Sequence, residues 1–194
     1  MTYEEYYKEG YITLKETEAA LCRTAESIKN ADYGLDLQPV VYYCSRIKHP
    51  DSMVRKLTAR GYKTDLSSAL TNVYDAVGIR IICSFTGDIM LVANKLQNDP
   101  DIEIIEKVDY LTHPKPNGYR SVHLRVRVIS TGALAEIQLR TIAMDFWATL
   151  EHQLKYKKNV KGESLIKSEL KRCADEIAST DLSMQTIREI LKEM

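Results

Sequence analysis

Every second residue is apolar in several segments of the chain, which is the pattern of a β-strand with one buried face. The pattern is clearest at 134–141, where the polar positions are Glu136, Gln138 and Arg140. Similar alternation, or a short apolar run, marks four further segments: 40–48, 77–85, 102–108 and 119–129. The chain is therefore predicted to form a sheet of about five strands.

Apolar residues that recur every three or four positions predict helices around these strands. The predicted helices span 3–30, 87–97 and 142–156, and one or two more cover 163–194. Pro50, which follows the first strand, suits the first position of a further helix. The polar segment 63–72 is predicted to be a connection. This order of elements predicts an α/β or α+β fold, with a sheet flanked by helices and a helical extension at the C-terminus.

A loop with distinctive chemistry lies directly before the fourth predicted strand. Two prolines restrict its backbone, and Asn117 followed by Gly118 favours a tight turn that reaches positive φ. Lys115 suits a phosphate, Tyr119 suits stacking on a base, and His123 suits a donor or acceptor role. A polar approach to a hairpin, with surface lysines, is the other interpretation of these residues.

Cations gather at the end of the first predicted strand and on the helix after it. Arg46 and Lys48 lie on one side of the strand, because strand side chains repeat every two residues. Ser52, Lys56 and Arg60 follow at intervals of four and form one stripe on the helix. With the backbone N–H groups of the helix N-terminus, they would form a cradle for a polyphosphate. A solvated helix face with ordinary lysines is the alternative.

Two carboxylates stand beside the predicted sheet. Asp75 directly precedes the second strand, and Glu136 lies on the polar face of the last one. Mg²⁺ usually takes one or two protein carboxylates together with substrate phosphates, so the pair could hold this ion. As alternatives, Asp75 is an ordinary turn residue, and Glu136 forms a cross-strand salt bridge with Arg80, Arg125 or Arg127.

The composition limits which partners the whole chain can attract. Its 194 residues include 27 basic and 27 acidic side chains, so zero net charge gives no global attraction to nucleic acid or an anionic membrane. No apolar run approaches the roughly 20 residues of a membrane span. The four cysteines are widely separated, which argues against zinc or a disulfide framework and favours reduced thiols in a cytoplasm. Any phosphate chemistry must come from local clusters of charge.

Four motifs, in one order along the chain, resemble the synthetase domain of RelA/SpoT proteins. They are residues 45–52 (SRIKHPDS) with Lys56, 74–80 (YDAVGIR), 114–123 (PKPNGYRSVH), and 135–141 (AEIQLRT) with 143–148 (AMDFWA). The resemblance covers approximately residues 40–158 and is strongest to the single-domain small alarmone synthetases. Because the four motifs occur together, the match is more specific than any one short motif.

The resemblance implies a reaction and a fold. The reaction is the transfer of pyrophosphate from ATP to the 3′-hydroxyl of GTP or GDP, with Mg²⁺ as cofactor, which gives alarmones of the ppGpp type. The fold is a mixed β-sheet with flanking helices, similar to nucleotidyltransferases. Phosphoryl-type transfer depends mostly on positioning and charge neutralisation, which agrees with the cations and carboxylates found in the motifs.

The resemblance also implies roles for residues at matching positions. ATP would be held by Arg46, Lys48, Ser52, Lys56 and Arg80. GTP or GDP would be contacted by Lys115, Asn117, Tyr119, His123, Gln138 and Ala148, with Tyr119 stacked on guanine. The catalytic carboxylates Asp75 and Glu136 would bind Mg²⁺, and Glu136 is also a candidate general base. Arg140 matches a motif position without a defined role.

An organisation and a setting follow from the same resemblance. Residues 1–158 would form the synthetase domain, and 159–194 a helical extension that joins copies of the chain into a homo-oligomer, with a tetramer as the expected form. ATP and GTP or GDP would be the partners in the cytoplasm, without DNA or a membrane. None of the four histidines is followed by aspartate. The His-Asp pair of the hydrolase carried by longer family members is thus missing, and no hydrolase activity is expected.

Two other functions stay open at this point. The same chemistry could serve another acceptor, either an adenine nucleotide or RNA in a toxin-like role, although zero net charge counts against RNA. The chain could also be a catalytically dead scaffold that senses nucleotides, although a pure binder would not need both Asp75 and Glu136. Ala59 and Gly87 depart from charged residues frequent in relatives, which leaves the ATP affinity and the choice among GTP, GDP and GMP open.

Overall fold

A mixed sheet of five strands lies at the centre of the chain. In the computed structural model, which describes residues 1–35, 37–155 and 163–194, the strands are β1 (Val40–Ile47), β2 (Val77–Cys83), β3 (Ile102–Asp109), β4 (Val122–Val128) and β5 (Leu134–Thr141). Their order in the sheet is β1-β2-β5-β4-β3. Strands β2 and β5 run parallel, and the other neighbouring pairs are antiparallel. The predicted fold class is confirmed.

Seven α-helices and one 3₁₀ turn flank the sheet in the described ranges. They are α1 (Tyr3–Tyr7), α2 (Gly10–Lys29), α3 (Pro50–Ala59), α4 (Leu66–Thr71), the 3₁₀ turn (Tyr74–Ala76), α5 (Thr86–Gln97), α6 (Ile142–Lys155) and α7 (Glu163–Glu193). Pro50 begins α3, as predicted. Among the described residues, no helix combines the length and the apolar character needed to cross a membrane.

Two predictions about local structure are wrong. The single helix expected at 3–30 is divided into α1 and α2, because Lys8 adopts a φ of 47° and ends α1. This left-handed conformation cannot continue a right-handed helix. The connection expected at 63–72 contains α4, whose start is capped by Asp65: its carboxylate accepts a hydrogen bond from the Ser68 N–H at 2.8 Å.

The two faces of the sheet differ as the alternation predicts. On one face, β2, β4 and β5 contribute buried apolar side chains: Val77, Ile79, Ile81, Val122, Leu124, Val126, Ala135, Ile137 and Leu139. Helices α2 and α5 pack against these strands and complete the hydrophobic core. Because the hydrophobic effect favours removal of this face from water, the opposite face of β2 and β5 is the one that carries Arg80, Glu136 and Gln138.

Polar contacts as well as packing hold α7 against the rest of the chain. Arg188 donates to the Asp88 carboxylate of α5 at 2.6 Å. The Leu170 carbonyl accepts a hydrogen bond from the Trp147 indole of α6 at 2.8 Å. The predicted division between a synthetase domain and a helical extension, after residue 158, lies outside the described residues and stays a prediction.

Replacing Arg188 by Met should lower the free energy of unfolding by about 3–5 kcal/mol, because the change leaves Asp88 as an uncompensated buried charge. The side chains of Arg188 and Asp88 are 8% and 1% exposed, so water cannot replace the lost partner. Urea unfolding followed by tryptophan fluorescence measures the loss.

Arg172→Met is the matched control, since Arg172 lies on the same helix and contacts Glu169 and Glu176 on an exposed face. Exposed ion pairs contribute little, so this variant should unfold almost like the unmodified chain. Equally small effects of the two substitutions would contradict the structural role given to Arg188.

Candidate active site

The polar face of the central strand pair forms the floor of a cavity. In the parallel register of β2 and β5, Gly78 lies beside Glu136 and Arg80 beside Gln138. Predicted site residues from four elements line this cavity: Arg46, Asp75, Arg80, Glu136 and Gln138. Residues from three separate motifs therefore meet in one place.

Asp75, in the 3₁₀ turn before β2, is held by two lysines. Its Oδ2 lies 2.8 Å from Lys48 Nζ, and its Oδ1 lies 2.7 Å from Lys56 Nζ. Burial alone would raise the pKa of Asp75, but the two ammonium groups outweigh burial and lower the pKa below its usual value. Burial lowers the pKa of Lys48, and the nearby Asp75 carboxylate offsets this effect only in part. The site thus contains an ionised carboxylate and two cations within reach of each other.

Glu136, on β5, has polar partners from two strands. Its Oε1 accepts a hydrogen bond from Gln138 Nε2 at 2.8 Å, and its Oε2 lies 3.5 Å from His123 Nδ1. Burial opposes ionisation, but the contact with His123 outweighs it and lowers the pKa of Glu136. Arg125 and Arg127 instead pair with glutamates of β3, so the alternative in which they neutralise Glu136 does not apply.

Tyr119 is fixed at its hydroxyl by two side chains. The hydroxyl lies 2.7 Å from His123 Nε2 and accepts a hydrogen bond from Arg140 Nη2, also at 2.7 Å. The ring meets Tyr110 edge-on, with 5.9 Å between the centroids. The sequence predicted Tyr119 as the first residue of the fourth strand. That prediction is wrong, because β4 begins at Val122 and a loop carries the Tyr119 ring. A chain of contacts therefore runs from this ring through His123 to Glu136.

The loop before Tyr119 has the tight turn that its sequence predicts. Gly118 has a φ of 89°, and a Cβ at this position would lie 2.5 Å from the Ala174 Cβ of α7. Asn117 Oδ1 accepts from the Tyr119 N–H at 3.3 Å, and its Nδ2 donates to Glu151 of α6 at 2.9 Å. The Lys115 ammonium lies 4.8 Å from the centroid of the Tyr119 ring. Backbone geometry and neighbouring helices thus hold the loop together.

Of the predicted site residues, five line the cavity (Arg46, Asp75, Arg80, Glu136 and Gln138), and His123 contacts one of them, Glu136. Lys48 and Lys56 do not line it but contact Asp75, which does. Ala148 lies in a small apolar cluster with Trp147 and Ala174, against which Tyr119 packs. Ser52 does not line the cavity, and its hydroxyl accepts a hydrogen bond from Arg55 at 3.0 Å.

Sequence reasoning missed three residues of the site. Asp145 contacts Arg80, Arg140 and the Tyr42 hydroxyl, although no role followed from its motif. Tyr110 packs edge-on against both Tyr119 and His123. For Tyr42 a signal was available, because it lies on the same side of the first predicted strand as Arg46.

The two carboxylates fit a divalent cation. Asp75 and Glu136 line the same cavity, and each is ionised because its neighbours lower its pKa. Both oxygens of Asp75 are paired with lysines, so a cation would take the place of an ammonium group there. Two carboxylates with open space between them suit Mg²⁺, which takes few protein ligands and completes its shell with phosphates and water. Within the described ranges there is no cluster of three or more histidine, cysteine, aspartate or glutamate side chains arranged for a metal.

A family model agrees with this geometry. The model described as "Region found in RelA / SpoT proteins" matches residues 45–161. The chain belongs to this family. The matched segment includes the four motifs and all strands of the cavity floor, so the family resemblance of the sequence is confirmed.

Individual relatives cover most of the chain. GTP pyrophosphokinase YwaC of Bacillus subtilis (strain 168) is 41% identical over 160 residues, which cover 78% of this chain and 76% of that protein. Small alarmone synthetase 1 from Bacillus subtilis, bound to its product pppGpp, superimposes with a TM-score of 0.84 at 30% identity, covering 96% of this chain and 98% of that one. A structure of the same synthetase bound to AMPCPP matches with a TM-score of 0.76 at 28% identity, over 97% and 98% of the two chains.

Proposed function

We propose that this chain is a GTP pyrophosphokinase, which transfers pyrophosphate from ATP to the 3′-hydroxyl of GTP or GDP and forms (p)ppGpp. The 3′-oxygen forms a bond to the β-phosphorus of ATP, the bond from that phosphorus to the α–β bridging oxygen breaks, and AMP leaves. One observation carries the proposal. Asp75, which is paired with lysines, and Glu136, which is connected to Tyr119 through His123, line the same cavity. The GTP pyrophosphokinase YwaC, which is 41% identical to this chain, supports the proposal.

The cations around Asp75 would hold ATP. Arg46 and Arg80 line the cavity, and Lys48 and Lys56 would exchange Asp75 for phosphate oxygens when the nucleotide binds. Asp75 would then be free to hold Mg²⁺ together with Glu136. A bound Mg²⁺ would neutralise negative charge that builds up on the phosphates during transfer. AMPCPP is an ATP analogue with a methylene group in place of the α–β bridging oxygen, at the position where the reaction breaks a bond. A relative has been solved in complex with it, which is consistent with an ATP site in this fold.

The loop around Tyr119 would hold the acceptor nucleotide. Its ring offers a face for guanine, while its hydroxyl is kept in place by His123 and Arg140. Lys115, Asn117 and Gln138 complete the proposed acceptor set. Glu136 would accept the proton of the attacking 3′-hydroxyl, because its lowered pKa keeps it ionised at neutral pH. One carboxylate is thereby proposed to serve both the cation and the proton transfer.

We further propose that the enzyme is a homo-oligomer, in tetrameric form, assembled through α6 and α7. Four apolar residues spaced by four positions are 41–60% exposed along α6: Ile142, Phe146, Leu150 and Leu154. Helix α7 adds exposed apolar side chains near its end: Leu182, Ile187, Ile190 and Leu191. A contiguous exposed apolar stripe is typical of an interface between proteins.

The proposed setting is the cytoplasm. Both substrates are nucleoside phosphates that cells hold in this compartment. The four cysteines carry free thiols in the structure, a state that a reducing compartment maintains. Neither DNA nor a membrane has a part in the proposed reaction.

Asp75→Asn and Glu136→Gln should each lower kcat about 100-fold or more, because each removes a carboxylate needed for the cation or for proton transfer. The assay uses labelled ATP and Mg²⁺ with GTP, GDP, an adenine nucleotide or RNA as acceptor, and removal of Mg²⁺ by a chelator should stop it. Glu103→Gln, which changes an exposed glutamate paired with Arg127, is the control and should keep full activity.

Each result of this assay has a defined meaning. Label transferred only to an adenine nucleotide or to RNA would replace the proposed acceptor. A protein that labels no acceptor would not be a pyrophosphokinase. Normal turnover by either carboxylate variant would remove the metal assignment.

Tyr119→Ala should weaken GDP binding by about 1–3 kcal/mol, because it removes the face on which the base stacks. Tyr119→Phe keeps the ring and loses only the contacts with His123 and Arg140, so it should weaken binding less. Titration calorimetry with GDP measures both, and Tyr62→Ala, at an exposed tyrosine, is the control. Unchanged affinity in the alanine variant would exclude stacking on this ring.

Phe146→Glu should separate the proposed oligomer into smaller species, because it introduces charge in the middle of the exposed stripe of α6. Light scattering during size-exclusion chromatography gives the mass. Ile12→Glu is the matched control, since Ile12 is 62% exposed and Phe146 60%, but Ile12 lies on α2. An unmodified protein that elutes as a monomer would rule out the assembly.

A further inference from the structure

Asp145, in the first turn of α6, joins two arginines of the active site. Its Oδ1 lies 2.9 Å from Arg80 Nη1 and 3.1 Å from Arg140 Nη1. Its Oδ2 accepts a hydrogen bond from the Tyr42 hydroxyl at 3.1 Å. Asp145 is 8% exposed, so water screens these charges only weakly.

The two arginines lead to different halves of the proposed site. Arg80 lines the cavity beside Asp75, on the side proposed for ATP. Arg140 Nη2 donates to the Tyr119 hydroxyl at 2.7 Å and to Gln138 Oε1 at 2.9 Å, on the side proposed for the acceptor. The Asp145 Oδ1 atom therefore connects an arginine of the proposed ATP side with an arginine of the proposed acceptor side.

Asp145 also has few competitors for these arginines. The Nε atoms of Arg80 and Arg140 are buried and have no hydrogen-bond partner in the part of the chain that the structure describes. In those same ranges Asp145 is the only carboxylate paired with either guanidinium. Because a buried guanidinium is costly to leave unmatched, this carboxylate restricts Arg140, which is 5% exposed, and it pairs with the partly exposed Arg80 through the same oxygen.

We propose that Asp145 is a positioning residue that aims Arg80 at ATP and Arg140, with Tyr119, at the acceptor nucleotide. The inference rests on the proposed function, from which it takes the two sites. Asp145 acts through the two guanidinium groups and touches neither nucleotide. By fixing both arginines to one point, it sets the distance and angle between the reactants, on which phosphoryl-type transfer mainly depends.

Asp145→Asn tests the proposal, because it keeps the shape of the side chain and removes its charge. The two guanidinium groups that share Oδ1 would then repel each other and move apart. We expect the Kd for AMPCPP and the Kd for GDP to rise together, each by roughly 3- to 30-fold. Calorimetry with each nucleotide alone, in the presence of Mg²⁺, gives the two constants without any turnover.

Asp181→Asn is the matched control. Asp181 is also 8% exposed, and its carboxylate accepts a hydrogen bond from Thr141 Oγ1 at 2.5 Å. Burial raises the pKa of Asp181, so the amide is a mild change there. Both dissociation constants should stay at the wild-type values in this variant. Thermal unfolding of all variants reports whether the fold is kept.

Tyr42→Phe is a second, gentler variant, since Tyr42 is 42% exposed and the change removes one hydrogen bond to Asp145. It should raise both constants in the same direction, by less than Asp145→Asn does. If folded Asp145→Asn raises only one constant, or neither, the proposal is overturned. Should that variant fail to fold, unchanged constants in Tyr42→Phe overturn it instead. A wild-type protein that binds both nucleotides but forms no alarmone would contradict the proposed function alone.

Discussion

The parallel register between β2 and β5 is the constraint on which the site depends. Strand side chains alternate between faces, so a shift of one residue would turn Glu136 and Gln138 into the apolar core and expose Ile137 to the cavity. Helices α2 and α5 bury Ile79 and Ile137 on the other side, which makes such a shift very costly. Burial on one face therefore determines which chemical groups the other face presents.

Carboxylates neutralise part of the positive charge around the cavity. Lys48 and Lys56 share Asp75, and Arg80 pairs with Asp145. A buried charge without a partner would cost much of the stability of a small protein, so each carboxylate makes its cations tolerable in the free protein. In the proposed reaction, phosphate oxygens would replace these carboxylates as partners of the cations. A local excess of cations would allow a chain with zero net charge to bind a polyphosphate as proposed.

Sequence patterns predicted the parts of the molecule that local rules control. The strand at 134–141 was predicted to its last residue, because its alternation is regular and a turn precedes it. The pairing of Asp75 with Glu136 was predicted from their positions beside the sheet, and both residues line the cavity. The break at Lys8 was missed, because lysine ordinarily favours helix, whereas Lys8 adopts a positive φ here. Asp145 was missed because it lies on a helix and its two arginines lie on two strands, and no rule of sequence spacing predicts contacts between these elements.

The contact between α7 and the loop before Tyr119 shows why the sequence of the loop alone does not explain its structure. Gly118 was expected for its turn, and its φ of 89° agrees, but a second reason for glycine is the Ala174 side chain packed against it. The next arginine continues this contact, because Arg120 Nη1 donates to the Ala174 carbonyl at 3.3 Å and Nη2 lies 3.3 Å from Asp175. The backbone that carries Tyr119 thus rests directly on α7, with no space for even a methyl group between them. A movement of α7 at Ala174 would therefore move this loop, so the helix proposed to join subunits also supports the backbone that carries Tyr119.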